Sequence, residues 1–249
     1  MTPFYFGTPG RRLFGIYEPA AQGSAGRRAA VLCNPWGSEY IYAHRSLRQL
    51  AIRLSACGIH TLRFDFYGTG DSAGELADAE LRGWEDDIEL AIEEVQDMAG
   101  VRRVALAGLR LGATLAARVA ARRGADIEAL ALWNPIVSGA AYRHELEAAA
   151  LGTVSPTGDD VLEVKGFPLT APMRREIGAI DLAPVLASPP TRTLLLITDL
   201  KLGVMSPADS AGGQLETAFL STISPWIEDP DTMGAVPATA IQSIADWLG

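Results

Sequence analysis

The chain has 249 residues, a length compatible with one α/β domain, and 48% of them are hydrophobic, enough for a sizeable core. Its formal net charge of −9 argues against nucleic acid or an anionic membrane as general partners. No apolar run approaches the roughly 18–20 residues of a membrane span, and the opening MTPFYFGTPGRR lacks the basic-then-apolar layout of a signal peptide, so a cytoplasmic location is expected. Cys33 and Cys57 fall in an expected strand and an expected helix and read as buried, reduced thiols.

Residues 3–7 and 13–19 read as two strands joined around Thr8-Pro9-Gly10, a hairpin signal, followed by a polar loop over 22–28. Residues 29–33 form a short continuous apolar run, the mark of a buried parallel strand, ending in Asn34-Pro35-Trp36-Gly37. The spacing of Leu47, Leu50 and Leu54 predicts a helix over 46–56, stopped at Cys57-Gly58. The next strand, 60–66, runs into a turn dense in glycine and small polar groups, Asp65-Phe66-Tyr67-Gly68-Thr69-Gly70-Asp71-Ser72. Residues 84–98 are an amphipathic helix with Trp84, Ile88, Ala91, Ile92 and Val95 on one stripe; Trp84 reads as core.

The stretch 104–117, VALAGLRLGATLAA, is an apolar strand, a tight turn of small residues and a helix. The turn Gly108-Leu109-Arg110-Leu111-Gly112 has the layout of a nucleophile elbow, G-x-S-x-G, in which glycines permit close packing around a strained strand-to-helix turn. Its middle residue is Arg110, which cannot be deprotonated in a protein and cannot attack a carbonyl. Another apolar strand, 129–133, is closed by Asn134-Pro135. From 137 to about 186 the alternation breaks: helices over 140–151 and 173–180 flank a polar, irregular run over 154–165. This reads as a cap inserted over the strand ends, which contains the polar run 155–160 and is expected to be the least ordered part of the fold and to control access to the cleft. A strand at 193–198, a Gly/Ser-rich loop, a helix at 214–220 and a last helix at 239–248 complete the pattern. Strands alternating with helices imply an α/β fold, a mainly parallel sheet covered on both sides, in one domain over 1–249.

Three stretches in this order, NPWG after one buried strand, FDFYGTGDSAG after the next and GLRLGA at the elbow, resemble the α/β-hydrolase superfamily. The resemblance covers nearly the whole chain. It is most similar to bacterial hydrolase-like members linked to exopolysaccharide (exosortase) systems and natural-product gene clusters, through PWGSEY, HR and GLRLGA. It implies the α/β-hydrolase fold, and a chemistry that takes a nucleophile, an acid and a histidine in that order. The nucleophile position holds Arg110. The acid position offers Asp199 after the penultimate strand, or Asn134, which cannot ionise, before the cap. The loop expected to hold the histidine, 228–236, reads EDPDTMGAV; the histidines are His44, His60 and His144. The resemblance also places oxyanion-hole amides at Trp36 and Leu111, with Gly37 beside them.

Arg110 has two readings: a former catalytic position closed by a salt bridge, or a fixed cation in a water-poor cleft, suited to a carboxylate, enolate or phosphate. Either needs an acidic neighbour, because an unpaired buried charge is costly; Glu39 and Asp199 are the candidates. In the loop 34–45, His44 with Glu39 is the surviving acid/base candidate, since an imidazole pKa of ~6.5 suits proton transfer near neutrality. Tyr40, Tyr67, Asn134 and Asp199 are candidates for substrate contact. Asp65, Asp71 and Ser72 read as turn-shaping groups, and Arg143, His144 and Glu145 as solvated surface of a cap helix.

Three functions remain open on this reading. The first is a non-hydrolytic enzyme (elimination, cyclisation or proton transfer) on a small acyl, ester or polyketide-like molecule. The second is an ester or thioester hydrolase using His44 or Glu39. The third is a non-catalytic binding or scaffold protein. The expected ligand is a small acyl or anionic molecule; no cofactor, metal, nucleic acid or membrane is expected, and self-association as a homodimer is left open.

Overall fold

The computed structural model describes residues 1–21, 28–150, 161–198, 214–228 and 235–249. Among these, one sheet of eight strands carries the fold, in the spatial order β1-β2-β4-β3-β5-β6-β9-β10. In chain order the strands are β1 (Thr2–Thr8), β2 (Arg11–Glu18), β3 (Arg28–Cys33), β4 (Ile59–Phe64), β5 (Val104–Leu109), β6 (Ile127–Trp133), β9 (Arg192–Ile197) and β10 (Leu215–Phe219); β7 (Val161–Val164) and β8 (Phe167–Thr170) form a separate hairpin. β1 and β2 pair antiparallel, as do β2 and β4, and every pairing from β4 to β10 is parallel.

Helices α1 (Ser38–Ala56), α2 (Leu81–Ala99) and α3 (Leu111–Arg123) cross between successive parallel strands, and α7 (Ala238–Leu248) closes the chain. The two sides of the central strands build two separate cores. On one side Val104 and Leu106 of β5 and Leu130 and Leu132 of β6 meet Trp84, Ile88 and Ile92 of α2 and Leu115 and Val119 of α3. On the other side Ala105, Ala107, Ala129 and Ala131 meet Leu47, Leu50 and Leu54 of α1 and Ile241, Ile244 and Leu248 of α7. Each Leu or Ile taken fully out of water in this way contributes roughly 2 kcal/mol. Small strand residues against large helix residues let α1 and α7 lie close to the sheet.

Between β6 and β9 lie α4 (Gly139–Ala149), the β7–β8 hairpin, α5 (Ala171–Gly178) and α6 (Ala183–Ala187). The insertion rests on the loops at the strand ends: the Phe167 ring meets Trp36 edge-on at 6.3 Å, and Glu176 accepts the Leu81 N–H at 2.7 Å.

Four sequence expectations are corrected. Helix α1 begins at Ser38, not at 46, because Gly37 takes φ 62° and turns the chain into the helix eight residues before the apolar stripe starts. The expected helix at 214–220 is the strand β10, paired with β9 in register from Leu215–Thr193 to Phe219–Ile197; pairing at the sheet edge overrides a short and ambiguous apolar pattern. The end of the expected irregular run belongs to the β7–β8 hairpin, whose two-residue turn, Lys165 at φ 50° and Gly166 at φ 85°, has the left-handed conformation that suits a tight hairpin. Cys57 is exposed at the end of α1, whereas Cys33 is buried. The polar run 155–160 lies outside the described residues. Among the described residues no helix is long and apolar enough to cross a membrane.

Candidate functional site

Two helix N-termini converge at the ends of β3 and β5. Arg110, between β5 and α3, has φ 53° and ψ −122°; Gly37, before α1, has φ 62° and ψ −136°. Neither helix start has a side-chain cap, so the first backbone N–H groups, Leu111 among them, have no intrahelical acceptor. The elbow is tight because its glycines permit it. A Cβ at Gly112 would stand 2.2 Å from the Asn34 carbonyl oxygen, and one at Gly108 would stand 2.6 Å from the Ala113 backbone. These contacts press α3 against the loop that carries Trp36 and Gly37.

The Arg110 side chain is buried, only 4% exposed, and is held at both ends of its fork. Its Nε donates to Glu39 Oε1 at 3.0 Å and its Nη2 to Glu145 Oε2 at 3.2 Å. The Tyr142 hydroxyl donates to the other Glu39 oxygen at 3.3 Å. The guanidinium also lies over the rings of Tyr142 (5.2 Å) and Trp226 (5.7 Å). Burial pushes the Glu39 carboxyl above its ordinary range; Arg110 and the Tyr142 hydroxyl oppose this without cancelling it. The tyrosine hydroxyl is pushed up as well, first by burial and then by the Glu39 charge. For Arg110, burial weakens the charged form, but Glu39, Tyr142 and Glu145 outweigh it and hold the guanidinium firmly protonated.

The structure thus joins Arg110 to Glu39 and to three residues that sequence reading did not assign to it, Tyr142, Glu145 and Trp226. Glu145, read as solvated cap surface, is half exposed and reaches Arg110 from α4. Trp226 lies between β10 and α7, the segment where the resembled superfamily carries its histidine. It is buried edge-on against Trp133 at 6.4 Å. The spacing of Tyr142 and Glu145, three apart on one helical face, could have signalled a pair aimed at one target.

Other candidates lie elsewhere. His44 is five residues from Glu39, about 140° around the helix, exposed, and donates Nδ1–H to the Ile41 carbonyl at 2.6 Å. The structure does not bring it to Arg110. The Tyr40 hydroxyl donates to Asp65 Oδ1 at 2.6 Å, and Tyr40 also lines the cavity beside the α1 N-terminus. The Tyr67 ring packs on Gly74 and under the Arg11 guanidinium at 4.5 Å, and its backbone N–H bonds Asp87 at 2.9 Å; it shapes its turn and does not line the cleft. Asn134, at φ 44°, clamps the sheet end by accepting the Thr198 N–H at 2.7 Å, while its own amide nitrogen is buried without a partner among the described residues. Trp36 is buried, and its indole N–H also lacks a partner there. Asp199 lies outside the described residues. A cavity of about 460 Å³, lined by Pro35, Gly37, Ile41, Leu76, Phe167 and Pro168 among others, opens beside the α1 N-terminus.

A family model described as serine aminopeptidase, S33, matches residues 40–165, half of the chain. No curated protein matches. Among solved structures the chain is similar to Est1E from Butyrivibrio proteoclasticus, solved with ferulic acid bound. The identity is 16%, 98% of this chain and 97% of that one are covered, and the TM-score is 0.71. A proline iminopeptidase of Mycobacterium smegmatis gives 14% identity, coverage of 99% and 97%, and a TM-score of 0.68. A thioesterase domain from the curacin biosynthetic pathway gives 15%, 98% and 99%, and 0.63. At these identities the structural likeness establishes the fold. With the sheet, the crossovers and the turn at Arg110 in place, the sequence match assigns the chain to the serine aminopeptidase S33 family of the α/β-hydrolase superfamily.

Proposed function

We propose that this protein is an enzyme of the α/β-hydrolase fold that acts on a small acyl compound without a serine nucleophile. The reaction is proton transfer next to a carbonyl. The observation that carries this reading is the Arg110–Glu39 pair at two uncapped helix N-termini, one of which, the start of α1, also borders a largely apolar cavity of about 460 Å³ through Gly37, Tyr40 and Ile41. The acyl group occupies that cavity. Its carbonyl oxygen accepts from the free amides at Leu111 and at the Trp36–Gly37 turn. Glu39, whose proton affinity is raised by burial, takes the proton from the adjacent carbon. The electron pair of the broken C–H bond moves to the carbonyl oxygen, and the amides and Arg110 hold the resulting oxyanion. Glu145 is half exposed, so its bond to Arg110 is the one that a developing anion replaces at little cost. The names of the similar structures, Est1E with ferulic acid bound and a thioesterase domain, support acyl compounds as the substrate class.

A second reading rests on a specific observation: Arg110 is already neutralised by two carboxylates. On that reading the cluster is a tie between α1 and α4, and the protein binds without reacting. One experiment separates the two. Acyl thioesters are incubated with the protein in D2O and α-deuterium incorporation is followed by NMR. Enzymatic proton transfer gives exchange that Glu39→Gln lowers by roughly 10²-fold or more. Absence of exchange across aliphatic and aromatic thioesters that do bind selects the second reading. Under either, a serine-directed phosphonate labels nothing, since the elbow holds Arg110 in place of serine and the three histidines, His44 on α1, His60 on β4 and His144 on α4, are all outside the loop before the last helix.

A further inference from the structure

Helix α1 carries a second polar stripe that the Arg110 cluster does not use. Tyr40, His44 and Arg48 stand four residues apart, so one face of the helix presents all three. They line a cavity of about 270 Å³, with Ile16 of β2 and Arg63 of β4 also in its wall. Arg63 is half-buried on its strand. Burial pulls its pKa below the usual arginine range, and the neighbouring Arg48 adds to this. Asp65 and Glu18 act on it through space. Asp65, however, is already occupied: one oxygen accepts from the Tyr40 hydroxyl at 2.6 Å and the other from the Asp71 N–H at 3.0 Å. Among the described residues neither the Arg63 nor the Arg48 side chain makes a hydrogen bond or an ion pair. In a chain of net charge −9, this leaves two unengaged guanidinium groups and an imidazole around one hollow.

We infer that this cavity binds a small oxyanion-bearing ligand, whose oxygens are held by Arg63 and Arg48 with His44 beside them. A half-buried guanidinium with free N–H groups matches a carboxylate or phosphate at two points, and the gain is larger where water is partly excluded. The volume lies just below the ~300–1,000 Å³ range of drug-sized ligand sites, so the ligand is small. Asp71 lines the same cavity and favours a ligand that carries hydroxyl donors beside its oxyanion. The site is a different one from the Arg110 cluster and does not rest on the acyl chemistry proposed for it.

The test is calorimetric titration of the full chain with glycerate and with glycerol 3-phosphate at constant ionic strength, with glycerol as the uncharged control. Binding of at least one of the two anions, and none of glycerol, is expected; which one binds distinguishes carboxylate from phosphate. Arg63→Met weakens that binding tenfold or more, and Arg48→Gln weakens it less. Where Arg63→Met fails to fold, the unaltered protein answers: the His44 imidazole NMR signals move on addition of the anion while those of His144 stay. Absence of binding by both anions overturns the inference. So does binding that both substitutions leave unchanged, or a His44 signal that does not move.

Discussion

Two buried charge clusters in this molecule have opposite compositions. On α2, Glu85 is 1% exposed and takes two arginines of α3, Arg118 Nε and Arg122 Nη1, each at 2.5 Å. At the elbow a single arginine takes two acids, Glu39 and Glu145. The arginines of the first cluster are 39% and 33% exposed, so they keep their hydration and give up little by pairing. The cluster is a tie between two helices. Arg110 has no such outlet. It is surrounded by Glu39, Tyr142 and Trp226 at helix starts that have no side-chain cap among the described residues. A buried ion pair therefore does not by itself mark a working site. What distinguishes this one is the pair of uncapped helix starts beside it and a second acid, Glu145, that is half exposed.

The comparison breaks most visibly at Arg110. Arg110→Ala strands Glu39 and is expected to cost about 3 kcal/mol, read as a lower melting temperature, with a roughly 10²-fold loss of proton transfer. Arg110→Lys returns the charge without the two-point fork, so it restores stability better than rate. An unshifted melting temperature in Arg110→Ala would show that the cluster is not a stabilising pair at all. Glu85→Ala is expected to cost less, about 1 kcal/mol, because its freed arginines turn to water; equal losses in the two alanine variants would erase the contrast.

A pH series sharpens it further. The folded protein holds the Glu39 proton more tightly than the unfolded chain does. Its contribution to stability is therefore greatest below the unfolded carboxylate pKa of ~4.3 and declines as pH rises through the higher folded value. Melting temperatures of the unaltered protein and of Glu39→Gln should diverge over that window, with the unaltered protein losing ground. Parallel curves would mean that Arg110 fully compensates the burial. The smallest effect belongs to Glu145→Gln, about 0.5 kcal/mol or less for a half-exposed partner. A larger loss, or strong coupling to Arg110→Ala in a double-mutant cycle, would make Glu145 a fixed strut and not an exchangeable lid.

Much of the fold could be read from residue patterns because buried parallel strands announce themselves. VALAGL and IEALALW are continuous apolar runs, and the small residues at 108 and 112 mark the sharp turn between strand and helix. The site was less legible. Arg110 and Glu39 stand out as charges in loops of the resembled superfamily. Tyr142, Glu145 and Trp226 do not, because their role depends on where an insertion and a late loop fold back, which no local period encodes. His44 looked like a partner for Glu39 because the helix was placed too late in the chain. Starting it at Ser38 separates the two side chains around its axis. β10 was read as a helix since five residues with two partly buried apolar positions satisfy either period, and only its neighbour β9 decides.

The close approach of Gly112 to the Asn34 carbonyl has a consequence for how such a site changes over time. The turn is gauged by two glycines and a neighbouring loop, not by the side chain at its apex. Its positive φ at Arg110, a conformation worth roughly 1–3 kcal/mol of strain in a non-glycine residue, is imposed from outside. Position 110 thus behaves as a socket: the backbone there is shaped by Gly108 and Gly112, where a Cβ would collide with neighbouring backbone, and not by the side chain that fills it. A substitution at position 110 therefore changes the group presented at the start of α3 while the turn that presents it keeps its shape.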